Sequence, residues 1–198
     1  MALQKQAKVL HRNQVKTALA HIAANSRNPE RDTLIFQMSH RAGMRAVEIS
    51  KVKWQMVLGV DRNLEDYIAL LNEASKGKSG GRRIPMHPDL KNAFASYVKV
   101  SPPEKSPRGF VIQSERSSNM SAGAITMWFY HLYKKLGYTG ASSHSGRRGF
   151  VTSGARKLSA VGASLRDLQA LTGHKHLSSL QRYIDGNTDV QRKLVNMI

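Results

Sequence analysis

The 198-residue sequence contains no cysteine. That excludes disulfide staples, thiolate zinc sites and a cysteine nucleophile. Long apolar runs are also missing. The best stretch, Ala124–Tyr133, is too short and too mixed to span a bilayer. The basic N-terminus has no apolar core behind its charges and does not read as a secretory signal. Acidic residues are scarce: 13 Asp and Glu face 31 Lys and Arg, a formal net charge of +18. Such an excess attracts polyanions and contributes little to folding, so nucleic acid is the first partner it implies. The cations are interleaved with apolar residues along the chain, as on a folded body with a basic face, and not gathered in a tail. The only acidic cluster, Asp61, Glu65 and Asp66, lies far in sequence from His174 and His176, and no metal site is expected.

Periodicity predicts a mainly α protein with a small antiparallel three-stranded sheet, an α+β fold, in a single domain over residues 1–198. Helices are expected at Asn13–Asn25, from Asn28-Pro29 to the stop at Gly43, and over Arg45–Val52. The β-prone runs are Trp54–Val60, Tyr67–Leu71 and Arg83–Met86, the last two joined by the Gly- and Lys-rich segment ASKGKSGGRR. Helix returns at Pro88–Val100 and Ser121–Leu136. From Ser145 onward the pattern is helices broken by glycine: Gly146–Leu158, Ser164–Leu171, Ser178–Asp185 and Val190–Met197. Met38, Met127 and Trp128 are core candidates.

Three segments carry chemistry-bearing residues in a suggestive order. In RAGMRAVEIS, Arg45 follows a glycine turn with Glu48 three residues on. In SSHSGRRGF, His144 and Arg147 are spaced i, i+3, on one helical face or end. In LTGHKHLSSLQRYID, His174 follows a glycine and Tyr183 comes nine residues later. Taken singly, each reads as a surface pair, a solvated face or a packed tyrosine.

Together they resemble the tyrosine recombinase, or phage integrase, family. Its Gly-x-Arg-x-x-Glu is seen as Gly43-Met44-Arg45-Ala46-Val47-Glu48, its His-x-x-Arg as His144-Ser145-Gly146-Arg147, and its Gly-His followed by tyrosine as Gly173-His174 and Tyr183. The resemblance runs from about Asn28 to Ile198 and implies that family's catalytic-domain fold. It implies a site-specific DNA recombinase that cleaves and rejoins strands through a 3′-phosphotyrosyl link, without metal, cofactor or ATP. Tyr183 would be the nucleophile, Arg45 and Arg147 the phosphate clamps, and His144 an acid/base partner. His174 would hydrogen-bond the phosphate, and Glu48 would orient Arg45. A hairpin lysine would protonate the leaving 5′ oxygen; Lys76 is favoured and Lys78 is the alternative. Lys78, Arg82, Arg83, Arg148 and Lys175 are expected on the DNA backbone. Arg148 stands where many members carry histidine, and Gly146 where leucine is common.

Most relatives carry a separate N-terminal helical domain. Only 44 residues precede Arg45, so that domain is expected to be absent, whether the chain is a fragment or a small native enzyme. The tail 186–198 either packs on its own chain or docks on a neighbouring subunit. The resemblance further implies double-stranded DNA as partner, a monomer when free, a homotetramer on DNA, no membrane, and a cytoplasmic protein of bacterial, phage or mobile-element origin. The alternatives are a catalytically weak DNA-binding module of the same fold and a type IB topoisomerase-like relaxing enzyme.

Overall fold

The computed structural model describes residues 7–74, 81–103, 109–181, 183 and 195–196. The chain divides into two compact units, Met1–Phe150 and Val151–Ile198.

The first unit is built around α2 (Pro29–Arg41), which follows α1 (Arg12–Asn25). Its residues Leu34, Ile35, Phe36, Gln37, Met38 and Ser39 are all buried, so it is a central helix and not a surface one. It packs beside α1 and α4 (Pro88–Val100). Proline at its first position and Glu30 and Asp32 in its first turn suit the positive end of the helix dipole. Asp32, itself buried, accepts from Ser26 Oγ, Arg31 Nε and Trp128 Nε1, which ties the start of α2 to α5 (Ala122–Lys135). Phe94 of α4, Ile125, Phe129 and Tyr133 of α5, and Trp54 and Met56 complete the core. Met127, expected inside, is half exposed.

The chain leaves α2 through Gly43, whose φ of +61° lies in the left-handed region, and a Cβ there would also strike the ring of Phe150. This turn aims the short α3 (Ala46–Ile49), which lies beside α5. Among the described residues the sheet has two strands, β1 (Tyr67–Leu70) and β2 (Arg82–Pro85), antiparallel with Ile68 opposite Ile84 and Leu70 opposite Arg82. The third expected strand, Trp54–Val60, is instead a 3₁₀ turn at Trp54–Met56 followed by an isolated bridge between Leu58 and Leu64. Two local features explain the difference. Trp54, Met56 and Val57 are all buried, which breaks strand alternation. Asp61 accepts from the backbone and side-chain N–H groups of Asn63, with Arg62 at φ +63°, closing a turn too tight for a longer ladder. The Phe110 segment bridges Lys53 and takes the backbone bonds of Val52 and Trp54.

In the second unit, the continuation of α6 (Ser145–Lys157) leads into a 3₁₀ turn, α7 (Leu165–Thr172) and α8 (Ser178–Gln181). Ser164 caps α7: its hydroxyl accepts from the Asp167 N–H, and its own N–H and O–H donate to the Asp167 carboxylate. Those bonds hold the Asp167 carboxyl below its ordinary pKa. Gly173, at φ 62°, ends the helix. Val151, Leu168 and Leu180 are the buried apolar side chains of this unit among the described residues. Among those residues no helix is long and apolar enough to cross a membrane.

Candidate active site

Arg45 begins α3, and its backbone N–H donates to Glu48 Oε2 at 2.8 Å while its Nη1 donates to Oε1 at 3.0 Å. Glu48 is fully buried. A lone carboxylate would not remain charged there. Arg82 supplies the compensation: its Nη1 and Nη2 reach Oε1 and Oε2 at 3.0 and 3.1 Å. Burial pushes the Glu48 carboxyl up, but the hydrogen bonds and charges of Arg82 and Arg45 outweigh it and hold the group below its ordinary value.

Arg147 lies in the first turns of α6. It is buried, and its Nη1 donates to the Gly43 carbonyl at 2.7 Å. One bond therefore brings Arg147 to the turn that delivers Arg45. Gly146 permits this approach, because a Cβ would run into Ser39 Oγ and the His40 ring of α2. That contact gives a physical reason for glycine where leucine is common. His144, just ahead of α6, is exposed, and its N–H donates to Ser142 Oγ.

His174 and Tyr183 belong to the second unit. Thr172 sits buried at the end of α7, and its hydroxyl donates to the Leu168 carbonyl at 2.6 Å. The same oxygen lies 2.6 Å from His174 Nδ1. A carbonyl can only accept, so the threonine proton is directed to Leu168 and Nδ1 must donate. This places the remaining chemistry of the ring at Nε2. Gln169 Nε2 donates to the His174 and Lys175 carbonyls, bracing the turn from below. The rings of His174 and Tyr183 are 6.3 Å apart, inclined at 55°.

The residues expected on DNA divide. Lys175 is exposed. Arg83 is exposed and lies over the Tyr67 ring, 3.4 Å from its centre. Arg148, half-buried, donates from Nη1 to the Ala7 carbonyl at 2.6 Å. Arg82 turns inward onto Glu48 with 9% of its side chain exposed, so the place expected for a phosphate holds a carboxylate. Lys76 and Lys78 lie outside the described residues, as does the tail 186–198 apart from Val195 and Asn196. Among the described residues no three His, Asp or Glu side chains gather as metal ligands.

Sequence reasoning missed two supports. Period-2 alternation carries a signal for Arg82: Ile84 faces the core, so Arg82 shares its face and Arg83 takes the other. Thr172 carries a weaker signal, a hydroxyl in the last helical turn, where it can donate to a carbonyl four residues back.

Residues 8–189 match the phage integrase family profile. The chain belongs to the phage integrase family. Among curated members, tyrosine recombinase XerC of Rickettsia rickettsii (strain Sheila Smith) is 29% identical over 182 residues, covering 89% of this chain and 55% of that one. XerC of Rickettsia canadensis (strain McKiel) is 28% identical over 156 residues, covering 77% and 46%. This chain thus spans about half the length of the curated relatives it matches. Solved integrase-family folds agree with its architecture. XerA recombinase superposes with a TM-score of 0.73 at 21% identity, over 97% of this chain and 65% of that one. The Tn1549 transposon integrase in complex with transposon right end DNA gives 0.72 at 19%, over 96% and 65%. A lambda integrase dimer bound to a COC′ core site gives 0.67 at 17%, over 95% and 62%. The mainly helical fold with a small antiparallel sheet is that of this family's catalytic domains, with two strands and not the expected three among the described residues.

Proposed function

We propose that this chain is the catalytic part of a site-specific DNA recombinase that cuts and rejoins one strand at a time through a covalent tyrosine intermediate. The observation that carries the reading is the Arg147-to-Gly43 bond, which sets two arginines at one turn. A phosphodiester under attack needs charge stabilisation on its non-bridging oxygens. Planar guanidinium forks supply it better than lysine, and fixing each fork in advance avoids reorganisation during the reaction. Glu48 holds Arg45, and the Gly43 carbonyl anchors one nitrogen of Arg147.

In the proposed step the Tyr183 hydroxyl oxygen bonds to phosphorus as the bond to the 5′ oxygen breaks. A free tyrosine, with pKa about 10, is a poor nucleophile at neutral pH. His144 takes its proton, and a hairpin lysine, Lys76 or failing that Lys78, donates one to the leaving oxygen. His174, with Nδ1 on Thr172, addresses the phosphate through Nε2, which acts as a donor when the ring is cationic. The reverse step rejoins the strand with no ATP, because the phosphotyrosyl link keeps the bond energy. Lys175 and Arg83 serve the duplex backbone. Similarity to recombinases solved with DNA supports double-stranded DNA as partner. The working form is proposed as a homotetramer on two sites, from free monomers in a bacterial, phage or mobile-element cytoplasm.

The test is a nicked suicide duplex whose cleaved end diffuses away, incubated with the protein in EDTA without ATP. The wild type should give a denaturant-resistant protein–DNA adduct, and Tyr183→Phe should give none. As much adduct from Tyr183→Phe would remove the tyrosine from its role. Tight binding with no wild-type adduct would turn the reading to a DNA-binding module.

A further inference from the structure

We propose that Arg82 is a positioning residue that keeps the Arg45 guanidinium both fixed and positively charged, acting through Glu48; the proposal rests on the recombinase reading above. Each oxygen of Glu48 accepts one bond from Arg82 and one from Arg45, at 2.8 to 3.1 Å. A carboxylate bonded on both oxygens from two sides cannot turn about its own axis, so the plane of Arg45 is set by the place of Arg82. Strand register makes this possible. Arg82 opposes Leu70 on the inward face of the hairpin, at the foot of the segment that carries Lys76 and Lys78.

The charge balance gives the arrangement its purpose. Arg45 alone with Glu48 would form a neutral pair, a poor clamp for a phosphate. With Arg82 added, two cations share one buried anion and the group keeps a net positive charge. The two arginines are not equivalent: 9% of the Arg82 side chain is exposed against 20% for Arg45. Arg82 is the inner cation that answers the carboxylate. Arg45 is the outer one, through which the surplus charge reaches a ligand. Low dielectric strengthens such a field compared with water.

Single-turnover cleavage at saturating suicide DNA tests this, with Arg82→Gln, Arg82→Lys and the double variant Glu48→Gln/Arg82→Gln. Arg82→Gln should slow cleavage about 10- to 100-fold, the usual cost of losing an outer support. DNA affinity and its salt dependence should stay as in wild type. Arg82→Lys should recover part of the rate, since it keeps the charge and loses the fork. The double variant should be faster than Arg82→Gln, because removing the carboxylate charge restores the surplus at Arg45; it also has no unmatched buried anion to disturb folding. On DNA with a methylphosphonate at the scissile position, one non-bridging charge is gone, and the deficit of Arg82→Gln should shrink. Equal deficits on both substrates, or a double variant no faster than the single, would overturn the proposal as a merely structural effect. A weaker affinity with the salt slope reduced by about 0.9, one phosphate contact, would overturn it in favour of direct DNA binding. No adduct from the wild type would defeat the recombinase reading itself, and this proposal with it.

Discussion

Arg45 and His174 stand in the two compact units, and the protein secures them by different means. Around Arg45 the support is deep: a buried carboxylate, a second arginine gripping both its oxygens, and Arg147 anchored to the adjoining turn, all against a continuous aromatic and aliphatic core. Around His174 the apolar support is smaller: the ring meets the Thr172 hydroxyl, Gln169 bonds the turn beneath it, and the unit's buried apolar side chains among the described residues are Val151, Leu168 and Leu180. Elements with few buried apolar contacts open locally at lower free-energy cost than elements in a dense core. On the proposed recombinase reading, the phosphate clamp is thus assembled before any substrate arrives, while His174 and Tyr183, the proposed nucleophile, belong to a unit with a smaller core among the described residues. A preorganised clamp favours the transition state. A lightly held nucleophile suits a step that waits for DNA.

The difference is open to attack at its strongest point first. Glu48→Gln removes the anion shared by two arginines and leaves their charges facing each other in the interior. Breaking a buried pair in this way costs about 3–5 kcal/mol. Thermal or urea unfolding of the first unit should shift accordingly; an unchanged midpoint would mean that the carboxylate is not a structural keystone.

Acid should come next. His40, stacked on Phe36 at 3.9 Å, donates from Nδ1 to the Phe36 carbonyl. Burial, aided by the charge of Arg41 and opposed by that carbonyl bond, lowers its pKa to about 4. The unfolded chain binds this proton near pH 6.5. Stability is therefore complete above pH 6.5 and declines as pH falls toward 4, by about 3 kcal/mol at most. Glu48, whose pKa is also lowered, adds its own loss as pH falls below the ordinary glutamate value near 4.5. Urea midpoints at pH 7 and pH 5 should differ for the wild type, and His40→Phe should flatten that difference.

The smallest effect is expected in the second unit. Thr172→Val removes the acceptor for His174 Nδ1 while keeping the shape. Cleavage should fall about fivefold, as for loss of one modest hydrogen bond near 1 kcal/mol, and Thr172→Ser should restore it. The ¹⁵N spectrum of the His174 ring should show a protonated Nδ1 in the wild type and in Thr172→Ser, and a mixture of tautomers in Thr172→Val. An unchanged spectrum in Thr172→Val would break the assignment.

Much of this arrangement is legible in the amino-acid sequence. Pro88–Val100 is helix over the expected residues, because the segment combines a proline start with buried Leu90, Ala93, Phe94 and Tyr97 at helical spacing. The stop at Gly43 can be read because few residues other than glycine take that φ. Motif order places Arg45, Glu48, His144, Arg147, His174 and Tyr183 in their segments. What escapes depends on the third dimension. Trp54–Val60 has β-prone residues, but the burial of both Met56 and Val57 and the Asp61–Asn63 turn, not its propensity, decide that it turns. Arg82 and Arg83 are chemically alike, and only the register of the hairpin sends one onto Glu48 and the other onto Tyr67. Arg148 looks like a surface cation until the Ala7 carbonyl appears beside it.

Hydrogen exchange on the free protein, read by mass spectrometry, tests the contrast most directly. Amides of Leu34–Val57 and β2 should exchange slowly, close to the limit set by global unfolding. Those of Leu165–Gln181 should exchange orders of magnitude faster and gain protection when DNA is added. Equal protection of the two regions in the free protein would refute a rigid clamp paired with a lightly held nucleophile.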